Sequence, residues 1–218
     1  MNDRSWKLRR LSALAMITAL AYITVVLIRI PVVLFLSYEP KDVLLTIGGF
    51  LFGPISGVVM CAVVSLLEMV TISSTGPIGM IMNFFSSVLF VCTASLIYHR
   101  KKTLSRALIG LIAGAIAMTA GMLLWNYLIT PLYMNATREA IAGMLVPVFL
   151  PFNLLKSGLN TAFTMLLYKS VSNTLRAAHL LPKETASVSI KKRLPTLLLA
   201  LFACVILVLI LLMWRGII

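Results

Sequence analysis

The sequence predicts an all-α polytopic membrane protein, a bundle of six spanning helices with one additional C-terminal transmembrane helix. Three observations carry that prediction. Of 218 residues, 61% are hydrophobic and only 11% charged, with a mean hydropathy of +1.04. A soluble domain of this size could not bury so much apolar surface, so lipid must be its main solvent. The formal charge of +13 comes from 19 basic and 6 acidic residues, and 14 of the basic ones fall in three clusters. These are Arg4, Lys7, Arg9 and Arg10; Arg100, Lys101, Lys102 and Arg106; and Lys169, Arg176, Lys183, Lys191, Lys192 and Arg193. They alternate with segments of low charge, which is the positive-inside pattern of a multispanning protein rather than a nucleic-acid-binding face. The third observation is that apolar runs of spanning length are punctuated by proline, glycine and charge.

Leu11 to Ile30 forms the first span, closed by Pro31, which disfavours a helical Ile30. Its start, WKLRR, and its length argue against a cleaved signal peptide. Val32 to Leu36 has two open readings, a kinked continuation of that helix or a hydrophobic flap at the outer surface. Lys41 to Gly53 is a second, short helix of about 20 Å, against a hydrocarbon core of about 30 Å. Gly53-Pro54 breaks it, and Ile55 to Ile72 is the third span. The turn SSTGPIG leads into a fourth span ending near Tyr98. The fifth covers Ala107 to about Ile129, before Pro131, and the sixth runs from about Val146 to Tyr168. Residues 1–176 make one membrane domain, 177–193 a basic cytoplasmic linker, and 194–218 carry the seventh helix, Leu194 to Trp214. With the N-terminus cytoplasmic, all three basic clusters fall on the cytoplasmic side of the cell membrane.

Against this apolar background a few polar side chains stand out: Glu68, Asn83, Asn126, Asn153 and Lys156. A charge in mid-bilayer costs on the order of 3 kcal/mol, so each should face protein or water. Asn153 and Lys156, three apart, share a helical face. Asn83, Asn126, Asn153 and Lys156 all fall in the outer half, level with the loop that carries Glu39, Lys41 and Asp42. Intramembrane asparagine also serves as helix–helix glue, and that reading stays open for each one. Glu68 is either an ion-pair partner of Lys156 or a neutral acid. Pro147 and Pro151 free backbone carbonyls just before Asn153, while Tyr38, Trp125, Tyr127 and Phe152 lie near the same level. Cys61, Cys92 and Cys204 fall inside spans with no metal-ligand spacing. No HExxH, GxSxG or P-loop occurs, and His99 and His179 lie in basic, solvated stretches.

ALAMITALAY in the first span, YEPKDVLLTIGGFLFGP after it, STGPIGMIMN, WNY and PFNLLKSGLN together resemble a known family. It is the S components of energy-coupling factor (ECF) vitamin transporters, most closely their riboflavin-specific members. The resemblance covers roughly Leu8 to Arg176. It implies a six-helix S-component bundle that binds one vitamin near the outer face and catalyses nothing. Matching positions imply a riboflavin site formed by Glu39, Lys41, Asp42, Asn83, Asn126, Asn153 and Lys156. They also imply that Ala15 and Ala19 form a small-residue surface docking the ECF transmembrane coupling protein, which carries two ATPase subunits. No metal or cofactor is implied; riboflavin is the transported ligand. The seventh helix departs from the family pattern. Competing expectations are the same scaffold serving another vitamin, or a membrane enzyme or assembly factor.

Overall fold

The computed structural model describes residues 3–34, 36–72, 76–134 and 136–180. The linker beyond residue 180, the seventh helix and Cys204 lie outside the described residues.

Helix α1 (Asp3–Leu27) is followed by two short strands, β1 (Ile30–Val33) and β2 (Leu36–Tyr38), and then α2 (Lys41–Phe52). Next come α3 (Pro54–Thr71), α4 (Gly76–Arg100), α5 (Leu104–Leu128), α6 (Thr130–Met134) and α7 (Arg138–Met144). A π-helical turn, Leu145–Phe149, joins α7 to α8 (Leu150–Ala177). Among the described residues, five helical stretches are long and apolar enough to cross a membrane: Trp6–Leu27, Pro54–Thr71, Gly76–Arg100, Leu104–Leu132 and Arg138–Ala177.

The second expected helix, α2, is the exception that organises the others. Its 12 residues reach only about 18 Å, well short of a hydrocarbon core. It sits inside the bundle, packed on α1, α3, α4 and α8. Most of its residues are buried, from Lys41 to Phe50. A short central helix ringed by long ones leaves a hollow at one end. Its other end is sealed: the Arg10 guanidinium donates to Phe52 O at 3.2 Å and Ser56 Oγ at 2.9 Å, and His99 Nε2 lies 3.2 Å from Gly49 O. The Arg10 contact gives Phe52 O, at the helix C-terminus, a donor from outside the helix, while Gly49 O also accepts from Gly53 N. His99 is therefore engaged with the bundle rather than simply solvated; His179 is exposed.

Over the hollow lies the segment that the sequence left open. Val32 to Leu36 is a flap: β1 and β2 pair antiparallel, Ile30 opposite Tyr38 and Val33 opposite Leu36. Leu36 packs with Ile141, Phe149 and Phe152 in a small apolar cluster, apart from the main core around Ile17, Leu45, Phe90 and Met118. The first helix stops at Leu27, three residues short of the expected end, because Ile30 and Pro31 belong to the hairpin. Pro147 sits within the π turn, where a widened ring accommodates the missing amide.

The tightest helix pair is α4 with α5. A Cβ added at Gly110 would lie 2.6 Å from Ala94 O, and one at Gly114 would lie 2.7 Å from Phe90 O. Backbone cannot yield there as a flexible side chain could. Gly114→Ala is expected to lower stability by about 1–3 kcal/mol. Gly143→Ala, where nothing lies within 4 Å, serves as the control and stays near wild type. Denaturant titration in detergent, followed by circular dichroism, checks both; equal midpoints contradict the close packing.

Candidate functional site

Beneath the hairpin, a cavity of about 230 Å³ opens among α3, α4, α5 and α8, with Arg29 of the α1–β1 link at its edge. Its polar wall carries Arg29, Glu39, Glu68, Asn83, Asn153 and Lys156, and its apolar wall includes Leu36, Ile72, Met82, Met122 and Phe152. Four of the seven sequence-identified binding candidates, Glu39, Asn83, Asn153 and Lys156, therefore face one space.

The floor is a charge network built on Lys41, whose side chain is 1% exposed. A lysine in the first turn of a helix opposes the helix dipole, and burial removes its hydration, so it requires anions close by. Two are present. The Lys41 ammonium donates to both oxygens of Glu68, at 2.6 Å to Oε2, and lies 3.0 Å from Glu39 Oε2. Asn83 Nδ2 donates to Glu68 Oε2 at 2.9 Å. On the far side, Arg29 Nε pairs with Glu39 Oε1 at 3.3 Å and its guanidinium donates to Ile72 O at 3.2 Å. The network thus joins the α1–β1 link, the hairpin, α2, α3 and α4. The cation beside Glu68 is Lys41 rather than the expected Lys156.

Glu39, between β2 and α2, lies outside the spanning helices. Burial opposes its ionisation, but Lys41, Lys156 and Arg29 together overcome that and hold its carboxyl below the usual range. Its Oε2 lies 3.0 Å from the Lys41 ammonium, and with two lone pairs this buried oxygen keeps acceptor capacity on the cavity wall.

Asp42 stands apart from the cavity and is fully buried. Ser87 Oγ donates to its Oδ1 at 2.6 Å, Asn160 Nδ2 to its Oδ2 at 3.2 Å, and Lys156 Nζ is 3.7 Å from Oδ2. Asn126 is also buried but turned toward its own helix. It donates to Met122 O at 2.7 Å and accepts from the Thr130 hydroxyl at 2.9 Å. Asn126 is not part of the cavity wall, although Met122, one turn away, is. Asn153 donates to Phe149 O at 2.7 Å, leaving its carbamoyl oxygen for a guest.

Arg29, Ser87 and Asn160 were not singled out from the sequence. Asn160 follows Lys156 by four residues and Ser87 follows Asn83 by four, so helical spacing alone could have flagged them. Ala15 and Ala19 are exposed, on the side of α1 opposite the buried row Ala13, Ile17, Ala21 and Val25. Among the described residues, no group of His, Cys, Asp and Glu is arranged to hold a metal ion.

Removing the central cation should strand two buried carboxylates. Lys41→Met is expected to destabilise the protein by about 3–5 kcal/mol. Adding Glu68→Gln to it recovers part of that loss, because one stranded charge disappears. Denaturation midpoints of the two variants test the network; a double variant no better than Lys41→Met contradicts it.

A profile of the substrate-specific component of ECF transporters matches residues 9–168. The chain is 30% identical over 177 residues to the riboflavin transporter RibU of Staphylococcus aureus (strain TCH60), covering 77% of this chain and 93% of that protein. It is 24% identical over 189 residues to the riboflavin transporter FmnP of Bacillus subtilis (strain 168), covering 80% of this chain and 99% of that one. A solved structure of the S component of a bacterial ECF transporter superposes with a TM-score of 0.66 at 27% identity, covering 78% of this chain and 99% of the other.

Proposed function

The chain belongs to the substrate-specific components of ECF transporters, and on that premise we propose that it captures riboflavin in the cavity beneath the β1–β2 hairpin. The observation that carries this reading is a balanced polar wall facing an apolar one. On that wall Arg29 and Lys156 offset Glu39 and Glu68, beneath it Lys41 and Asp42 balance in number, and every one of these six takes part in an ion pair. Such a site presents hydrogen-bonding capacity with no formal charge left over, which suits an uncharged guest.

Riboflavin has the matching chemistry: an apolar tricyclic ring, an imide edge with both donor and acceptor, and a hydroxylated chain. Met82, Met122, Phe152 and Leu36 cover the ring, and its burial supplies most of the affinity. Asn83 and Asn153 offer amide groups to the imide and hydroxyls, Lys156 donates to a carbonyl, and Glu39 Oε2 accepts. Lys41 and Asp42 act beneath this layer, and Asn126 braces the helix that presents Met122. Such polar groups, left unpaired by a wrong vitamin, reject it more strongly than apolar surface could.

The chain performs no hydrolysis itself. Uptake is driven by an energy-coupling module, comprising a transmembrane coupling protein and two ATPases, that docks on the exposed Ala15–Ala19 face of α1. Small residues four apart let a partner helix approach closely. The protein resides in the cell membrane with its basic end and N-terminus in the cytoplasm, in keeping with the cation clusters.

Purified protein should quench riboflavin fluorescence on binding, and Lys156→Ala should weaken binding by about ten- to a hundredfold. Asn126→Ala should change it far less. Wild-type protein that leaves riboflavin fluorescence unchanged contradicts the reading. The docking face is tested separately: Ala15→Leu with Ala19→Leu should preserve riboflavin binding and abolish uptake in cells, whereas undiminished uptake rules that face out.

A further inference from the structure

We propose that Asp42, locked by Ser87 and Asn160, is a positioning residue for Lys156, and that these three set riboflavin affinity without touching the vitamin. The inference rests on the riboflavin reading above and deepens it. It reassigns Asp42 from ligand contact to support and gives roles to two residues that nothing else assigns.

Geometry separates two layers. On α8, Asn153 and Lys156 face the cavity while Asn160, one turn further along the same face, reaches Asp42. On α4, Asn83 faces the cavity while Ser87, one turn further, also reaches Asp42. The same step on two helices produces a ligand layer above and a carboxylate-binding layer below. Asp42 is fully buried and absent from the cavity wall, so a guest cannot reach it.

Two donors fix the carboxylate plane, one on each oxygen. Its charge then needs a nearby cation. Lys41, its chain neighbour, is committed to Glu39 and Glu68, which leaves Lys156, at 3.7 Å. That separation lies inside ion-pair range but outside hydrogen-bond range. Asp42 therefore draws the ammonium to the cavity floor without consuming its N–H groups. Among the described residues Lys156 makes no hydrogen bond to protein, so all three donors remain for a guest carbonyl. Were Asp42 free to rotate, the flexible four-carbon stem of Lys156 would sweep the cavity and lose this preorganisation.

A double-mutant cycle in the full-length protein tests the assignment. Ser87→Ala and Asn160→Ala should each weaken riboflavin binding by about tenfold in the wild-type background and by less than about twofold when Lys156 is already Met. Equal losses in both backgrounds would mean a merely structural role and overturn the proposal. A second arm needs no flavin: acetylation of Lys156 by acetic anhydride, read by peptide mass spectrometry. Asp42→Asn should raise that rate by about threefold or more, with Ser87→Ala changing it in the same direction. Unchanged rates overturn the positioning role. If the wild-type protein fails to bind riboflavin, the functional reading falls while the labelling arm still decides this one.

Discussion

A lysine ammonium buried between two carboxylates, at the first turn of a helix too short to cross the membrane, is the constraint on which the rest of this structure depends. Alone, the Lys41 charge would oppose the dipole of α2 and lack hydration. Glu39 and Glu68 make it tenable, and in doing so they tie the hairpin and α3 to the end of α2. Arg29 and Asn83 extend the tie to the α1–β1 link and to α4. A buried network of this kind adds little net stability compared with apolar packing. What it fixes is the depth at which α2 begins, and hence the volume left open above it.

Direction along the membrane matters as much as depth. Helices α2, α4 and α8 run the same way, as their contacts establish: Asp42 meets Ser87 and Asn160 near the hairpin, while Phe50 stacks on Tyr98 at 4.4 Å and Tyr98 meets the Tyr168 hydroxyl at 2.9 Å toward the basic end. Parallel helices advance in step, so residues spaced by one turn on each fall into matching layers. The uppermost layer is the cavity wall, the next binds Asp42, and the aromatic group closes the bundle below. The cavity at one end is thereby continuous with packing through the interior.

Much of this was legible in the sequence, for physical reasons that also explain the rest. Spans and breaks follow from hydropathy and from proline and glycine, which act locally. Asn83, Asn153 and Lys156 stood out because lipid makes an isolated polar group conspicuous. Ser87 and Asn160 could have been flagged by their four-residue spacing from Asn83 and Lys156, but their shared partner, Asp42, lies far away in the chain and only the fold reveals it. Arg29 carries no distinguishing signal of its own in the sequence; its role comes from Glu39, which the hairpin brings beside it. Glu68 required a choice between distant cations that spacing cannot make. The flap was left open because three- and four-residue strands carry too few residues for a period to emerge. Asn126 shows the opposite limit: the right residue type at the right depth, on a helix that turns it away from the cavity.

The most direct measurement is an experimental structure of the protein loaded with riboflavin. The account predicts the flavin ring lying between the Met82–Phe152 wall and the Asn83–Lys156 wall beneath the closed hairpin, with Asp42 still bonded to Ser87 and Asn160. A flavin lodged elsewhere in the bundle, or one in direct contact with Asp42 and remote from Lys156, would contradict it.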